Sequence, residues 1–230
     1  MRLSLKYTAI ILRLNLTVIF SDFYMVIQLF SKGGPLMWPI LVASVIAFTI
    51  AMERLFFLIG ERARLQPRVI TKMLSALDNQ NFEEALRMGK GSKDFVARLL
   101  TTSLQHRDSS ISTALLQAAN RELARFHRGL DILDTIITLA PLLGLLGTVT
   151  GMIHSFGLLG TEELGTPAAI TGGIAEALIA TAFGLGVAII ALIPYNYFNS
   201  CLEKARLRIQ DAALHVEICC SNREPTAAKQ

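Results

Sequence analysis

Three stretches of the chain are apolar on every face instead of on one. The first runs from Leu36 to Met52, the second from Asp131 to Phe156 with no charge between Thr135 and Ile153, and the third from about Pro167 to Pro194, interrupted only by Glu176. Crossing about 30 Å of hydrocarbon takes roughly 20 apolar residues, so each stretch is long enough to span a bilayer. The pattern predicts membrane helices over 36–59, 131–156 and 168–194. The first extends past Glu53 and Arg54 because Leu55 to Ile59 continue the apolar run, and the charged pair reads as interfacial side chains that snorkel. Elsewhere the hydrophobic positions take a three- and four-residue rhythm. Asn81 with Glu84 forms a capping box that opens a short helix ending near Gly89. Leu115, Ala119, Leu123, Phe126 and Leu130 mark a longer helix, from about Ser110, feeding straight into the second span. Leu202, Ala205, Ile209 and Ala213 continue one face beyond the third. The fold class these elements predict is an all-α membrane protein with three transmembrane helices and long cytoplasmic helical extensions.

Composition and charge then orient the chain. Of 230 residues, 52% are hydrophobic and 17% charged, a low charge fraction for a soluble domain of this length. Twelve Lys and Arg fall between Glu61 and Leu130, whereas 157–166 carries none and holds Glu162 and Glu163. The positive-inside tendency places 60–130 in the cytoplasm as a helical loop and 157–167 outside as a short loop. Residues 195–220 then form a cytoplasmic helix, 221–230 a disordered tail, and 1–35 an external N-terminal segment. Within it, residues 1–24 read as either an upstream start-site extension or a poorly ordered appendage: Arg2, Lys6 and Arg13 suggest a signal segment, but Arg13, Asn15 and Asp22 break its apolar run. The net charge of +4 is largely this topology signal. Seven acids alternate with the bases of the long loop, so no nucleic-acid partner is expected.

Little in the sequence suggests enzymatic chemistry. No Walker loop, dinucleotide fingerprint, zinc spacing or nucleophile motif is present, and GKGSK at 89–93 reads as a turn. Cys201, Cys219 and Cys220 read as ordinary reduced thiols with no metal-ligand spacing around them, and no cofactor is expected. Two stripes of small residues stand out instead. In the second span Gly144, Gly147, Thr148, Gly151 and Ser155 recur at helical spacing, and in the third Gly173, Ala177, Thr181, Gly184 and Ala188 do the same. In lipid, small side chains favour association by letting backbones approach, which predicts helix packing through Gly144, Gly147, Gly151, Gly173, Ala177 and Gly184. Glu176 is the exception that needs an explanation. An ionised carboxylate facing lipid near mid-bilayer costs at least ~2.5 kcal/mol, so this one should face protein or water. His154, near the outer end of the second span, reads as an interfacial residue.

The segments LDTIITLAPLLGLLGTVTGMI and GGIAEALIATAFGLGVAIIALIPYN resemble the second and third membrane helices of the MotA/TolQ/ExbB proton-channel family, nearest the ExbB branch. The resemblance covers about residues 25–215. It implies a subunit of a ring-shaped homo-oligomer, with a pentamer expected, in the bacterial inner membrane with a periplasmic N-terminus and cytoplasmic C-terminus. Implied partners are an ExbD-like single-span protein and a TonB-like protein, energised by the proton motive force. It further implies a proton pathway through Glu176, Thr148 and Thr181. TolQ-like and MotA-like stators are the near alternatives, although MotA-type chains have four spans. A solute transporter would show broken helices or an internal repeat, and neither is present; a non-conducting scaffold is the remaining alternative. The family often carries proline where this chain has Ile190, with Pro194 one turn later, which shifts any kink toward the cytoplasmic end.

Overall fold

The computed structural model describes residues 27–105, 107–157 and 167–221, and among them every regular element is α-helical. Residues 1–24, the loop at 158–166 and the tail at 222–230, on which several expectations rest, lie outside the described residues. After a short helical segment at 27–32 come α1 (Met37–Ala63), α2 (Pro67–Asp78), α3 (Phe82–Gly89), α4 (Phe95–Gln105), α5 (Arg107–His127), α6 (Leu130–Gly157) and α7 (Pro167–Ser221). Three helical stretches, 37–63, 111–157 (with a turn at 128–129) and 171–219, are long and apolar enough to cross a membrane. The third belongs to one helix of 55 residues that continues through Pro194. The chain buries only 22%, 22% and 28% of the most apolar windows of these stretches against itself.

The chain divides into two compact units, one within 1–47 and 135–192, the other within 48–134 and 193–230. In the first, the adjoining parts of α1, α6 and α7 meet through small residues. Ala43, Ala47, Ala140, Ala177, Ala180, Ala188 and Ala191 are all buried, whereas Val42, Leu142, Ile153, Leu178 and Ile189 are exposed. Trp38 is exposed at the start of α1 and meets Phe30 edge to face, with ring centroids 5.8 Å apart.

The second unit is built like a water-soluble domain. Met73, Leu77, Ala85, Leu99 and Leu100 from α2, α3 and α4 form its centre. Phe126 stacks edge to face on both Phe57 and Phe95, at 5.5 and 5.3 Å. Phe198, Ala205, Ile209, Ala212 and Val216 of α7 are buried at steps of seven, four, three and four, one helical stripe. The predicted capping box opens α3: the Glu84 amide donates to Asn81 Oδ1 at 3.3 Å, and Asn81 Nδ2 donates to the Glu84 carboxylate at 2.8 Å. A second anchor was not read from sequence. Asp94, fully buried, accepts from the Val96 amide (2.9 Å) to cap α4 and from the Gln66 amide (2.7 Å) ahead of α2.

Two sequence expectations are corrected here. The helix from about Ser110 does not feed straight into the second span: α5 ends at His127, and Gly129, at φ +79°, turns the chain before α6. Only glycine adopts that conformation without cost, and a Cβ there would also lie 3.2 Å from Ile50. Nor does Arg54 snorkel. It is 3% exposed, its guanidinium pairs with Glu53 at 2.7 Å, and Nη1 donates to the Arg125 carbonyl at 2.9 Å. The last carbonyls of a helix lack internal partners, and a buried arginine supplies one here. Arg98 ties the same unit together, bridging Glu61 at 3.2 Å and Glu122 at 2.9 Å. Its partner Glu122, and after it burial and Glu61 acting in opposite senses, leave the guanidinium pKa above its ordinary value.

Candidate functional site

The site lies in the first unit, where α6 and α7 run antiparallel at close range. Gly144 sits over the Thr181 backbone, Gly147 over Ala180, Gly151 over Ala177, and Gly173 against Ser155. A Cβ added at Gly144 would come within 3.0 Å of the Thr181 Cα, and one at Gly184 within 2.5 Å of the Ala140 carbonyl. At these positions even alanine has no room, so the backbones touch because the side chains are absent. Thr181 adds a polar tie: its hydroxyl donates across the seam to the Gly144 carbonyl at 2.8 Å, with the Ala177 carbonyl of its own helix at 3.4 Å. Ser155 is fully buried and donates to the Gly151 carbonyl at 2.8 Å.

Glu176 points elsewhere. Five residues on from it, Thr181 is rotated by about 140° at 100° per residue, so the two cannot share one face of α7. Glu176 is half-buried, and its carboxylate packs against the turn that leads into α1. Gly34 at the centre of that turn has φ +72°, and any Cβ on it would collide with the Glu176 carboxylate. A recess of 340 Å³ opens beside this contact, lined by Gly33, Pro35 and Leu36 before α1, by Gly147, Thr150, Gly151 and His154 of α6, and by Gly173 and Glu176 of α7. The Thr150 hydroxyl donates to the Leu146 carbonyl at 2.8 Å, and no hydrogen bond or ion pair joins His154 to Glu176 among the described residues.

The structure therefore gathers Glu176, His154 and Thr150 around one cavity and sets Thr181 on the helix seam. Thr148 is half-buried, with its hydroxyl on the Leu145 carbonyl of its own helix at 2.7 Å. Sequence reasoning singled out Glu176 but missed Gly34 and Thr150. The signal for Gly34 was the GGP run, which marks a turn before the first span; nothing local tied it to a carboxylate in the third. His154, read as interfacial, is exposed and also lines the recess.

Taken with the site, three membrane-length helices, two of them packed glycine to backbone, and a half-buried carboxylate beside a recess that Thr150 and His154 also line define a helical membrane protein with ionisable chemistry inside its span unit. The chain belongs to the MotA/TolQ/ExbB proton channel family, whose profile matches residues 70–211. Members of this family are proton-channel and transport proteins, not enzymes. The biopolymer transport protein ExbB-like 1 of Synechocystis sp. is 39% identical over 178 residues, 74% of this chain and 69% of that protein. ExbB of Pseudomonas putida is 30% identical over 192 residues, covering 78% of this chain and 57% of its own length. TolQ of Pseudomonas aeruginosa, of the Tol-Pal system, is 43% identical over 90 residues, 39% of each chain.

Proposed function

We propose that the chain is the inner-membrane channel subunit of a proton-driven energy transducer, working with an ExbD-like single-span partner to energise TonB-dependent transport across the outer membrane. The observation that carries this is the place of Glu176: the carboxylate is turned toward the chain's own backbone and a recess large enough for water, not toward the exposed apolar faces of α6 and α7. A proton needs no shaped pocket, only a hydrated path and groups that take and release it. Glu176 is the group that exchanges the proton; Thr181 and Thr148, further along the same helix pair, continue the path by hydroxyls whose present acceptors are backbone carbonyls, and because Thr181 faces about 140° away from Glu176 the path runs between spans or between subunits. One elementary charge crossing the membrane delivers about 2.3 kcal/mol per 100 mV, so useful work takes several protons or several copies of the site. A ring of identical chains, five on the family's pattern, supplies those copies. In this reading 1–35 and 157–167 face the periplasm and 60–130 and 195–230 the cytoplasm, the arrangement that the Lys and Arg distribution favours. The boundaries 36–59, 131–156 and 168–194 mark the parts of the helices inside the bilayer.

The test is Glu176→Gln, which keeps the shape of the side chain and removes its charge and acid–base chemistry. Expected is an oligomer of unchanged size and amount with energy-dependent uptake through a TonB-dependent receptor abolished. Uptake at the wild-type rate would mean that the glutamate only holds a helix interface. The TolQ match supports a second reading, in which the same motor belongs to a Tol-Pal-type system. Deleting the gene separates the two: loss of receptor-mediated uptake supports the ExbB-like role, and leakage of periplasmic proteins with uptake intact supports the TolQ-like one.

A further inference from the structure

The second unit carries a group of side chains that the proton path does not use. Asp78, the last residue of α2, meets His215 and Cys219 of α7: His215 Nε2 shares a hydrogen bond of 2.9 Å with Asp78 Oδ1, and Cys219 Sγ donates to the same oxygen at 3.2 Å. One donor atom from each of the three lies within 4.8 Å of the others. His215 and Cys219 are four residues apart, which puts both on one face of α7 about one turn apart. No spacing in sequence announced the third member, because Asp78 lies 137 residues before His215. Cys219 is a free thiol, as its sequence reading had it, and the fold brings to it an Asp that no sequence spacing announced.

We propose that Asp78, His215 and Cys219 form a binding site for a borderline divalent transition-metal ion, zinc foremost, that clips the end of α2 to α7.

Three features carry the assignment. The donor set is one thiolate, one imidazole and one carboxylate; this mixture suits Zn²⁺ and disfavours Mg²⁺ or Ca²⁺, which take oxygen ligands. The spacing is near what tetrahedral coordination requires. With bonds of about 2.0 Å to N and O and 2.3 Å to S, neighbouring ligand atoms stand about 3.3–3.6 Å apart. The two pairs that share Asp78 Oδ1, at 2.9 and 3.2 Å, need to open by only a few tenths of an ångström, and the third, His215 with Cys219, lies within 4.8 Å and must settle to the same range on binding. Finally, Asp78 stands at the C-terminus of a helix, where the macrodipole disfavours an anion, and the last turn of α2 offers no basic side chain to offset it. A cation at this point answers both charges. All three side chains are partly exposed, so an ion enters without unfolding the unit, and water takes the fourth position.

The site is tested on the full chain purified in detergent in its native assembly, with Co²⁺ as a spectroscopic probe and Zn²⁺ as competitor. Expected is one Co²⁺ per chain, a thiolate-to-metal charge-transfer band, and displacement by Zn²⁺. Cys219→Ser should abolish that band, and Asp78→Asn and His215→Ala should each weaken binding at least about tenfold. Cys201→Ser, also on α7, should bind as the wild type does. Far-ultraviolet circular dichroism and assembly size check that every variant is folded. Absence of the band in the wild type, its persistence in Cys219→Ser, or unchanged affinity in Asp78→Asn and His215→Ala would overturn the proposal. Because the readout is metal binding and not uptake, its failure leaves the transducer reading standing, and the reverse holds as well.

Discussion

Glu176 and Gly34 are a pair that only the fold makes visible. The glutamate could be picked out of the sequence because an isolated carboxylate in an apolar run is expensive, and such residues are kept out of lipid. Its partner could not, because a glycine before a membrane span is unremarkable until its φ of +72° and the carboxylate beside it are known. Gly34→Ala is accordingly expected to impair uptake although it alters no ionisable group: the new methyl must displace the Glu176 carboxylate, and the left-handed backbone adds about 1–2 kcal/mol of strain. Wild-type uptake together with an unchanged unfolding temperature in detergent would count against this contact. Arg54 teaches the converse lesson. A charged residue late in an apolar helix fits snorkelling by pattern, yet this one is buried because the carbonyl end of α5 lies within its reach.

At the scale of elements, the small-residue stripes on α6 and α7 contain the positions that meet in the structure, Gly144 with Thr181, Gly151 with Ala177, and Gly173 with Ser155. The partner assignments were not legible, since a stripe says that a helix approaches something and leaves open what. Gly151→Leu is expected to force the seam apart: a Cβ alone would stand 2.8 Å from the Ala177 methyl and 3.3 Å from the Gly173 carbonyl, and the remaining side chain has nowhere to go. Overpacking of this kind costs typically about 1–3 kcal/mol, enough to lower yield and unfolding temperature. Leu substituted at Gly157, where a Cβ meets nothing within 4 Å among the described residues, is the matched control and should be tolerated. The helix joining the long loop to the second span was expected to be continuous, and its break at Gly129 is a case where one residue overrides a periodic pattern. Leu115, Phe126 and Leu130 do lie buried along the predicted face, so the periodicity was right and the continuity was not.

For the whole molecule, the low self-burial of the spans, 22% to 28% of their most apolar windows, sets the main expectation. Leu142, Ile153, Leu178, Ile189, Ile190 and Ile193 remain exposed, a surface that lipid or further copies must cover. Light scattering of the detergent-solubilised protein is expected to give a multiple of the 25.2 kDa chain mass, five copies on the ring reading. A monomer that still conducts protons would sink that reading, because three helices that bury so little of one another do not enclose a path.

By itself the sequence determined the class of fold, the three membrane-length helices and the family, because these rest on local properties: run length, periodicity, and the residue order of the two small-residue spans. Tertiary structure alone decided which groups share a cavity or a hydrogen bond. The glutamate's place against Gly34, the alignment of His154 and Thr150 with it, Arg54 on the end of α5, and Asp78 beside His215 and Cys219 all join residues far apart in the chain. Packing between helices sets such pairings, and no periodicity within one helix encodes them.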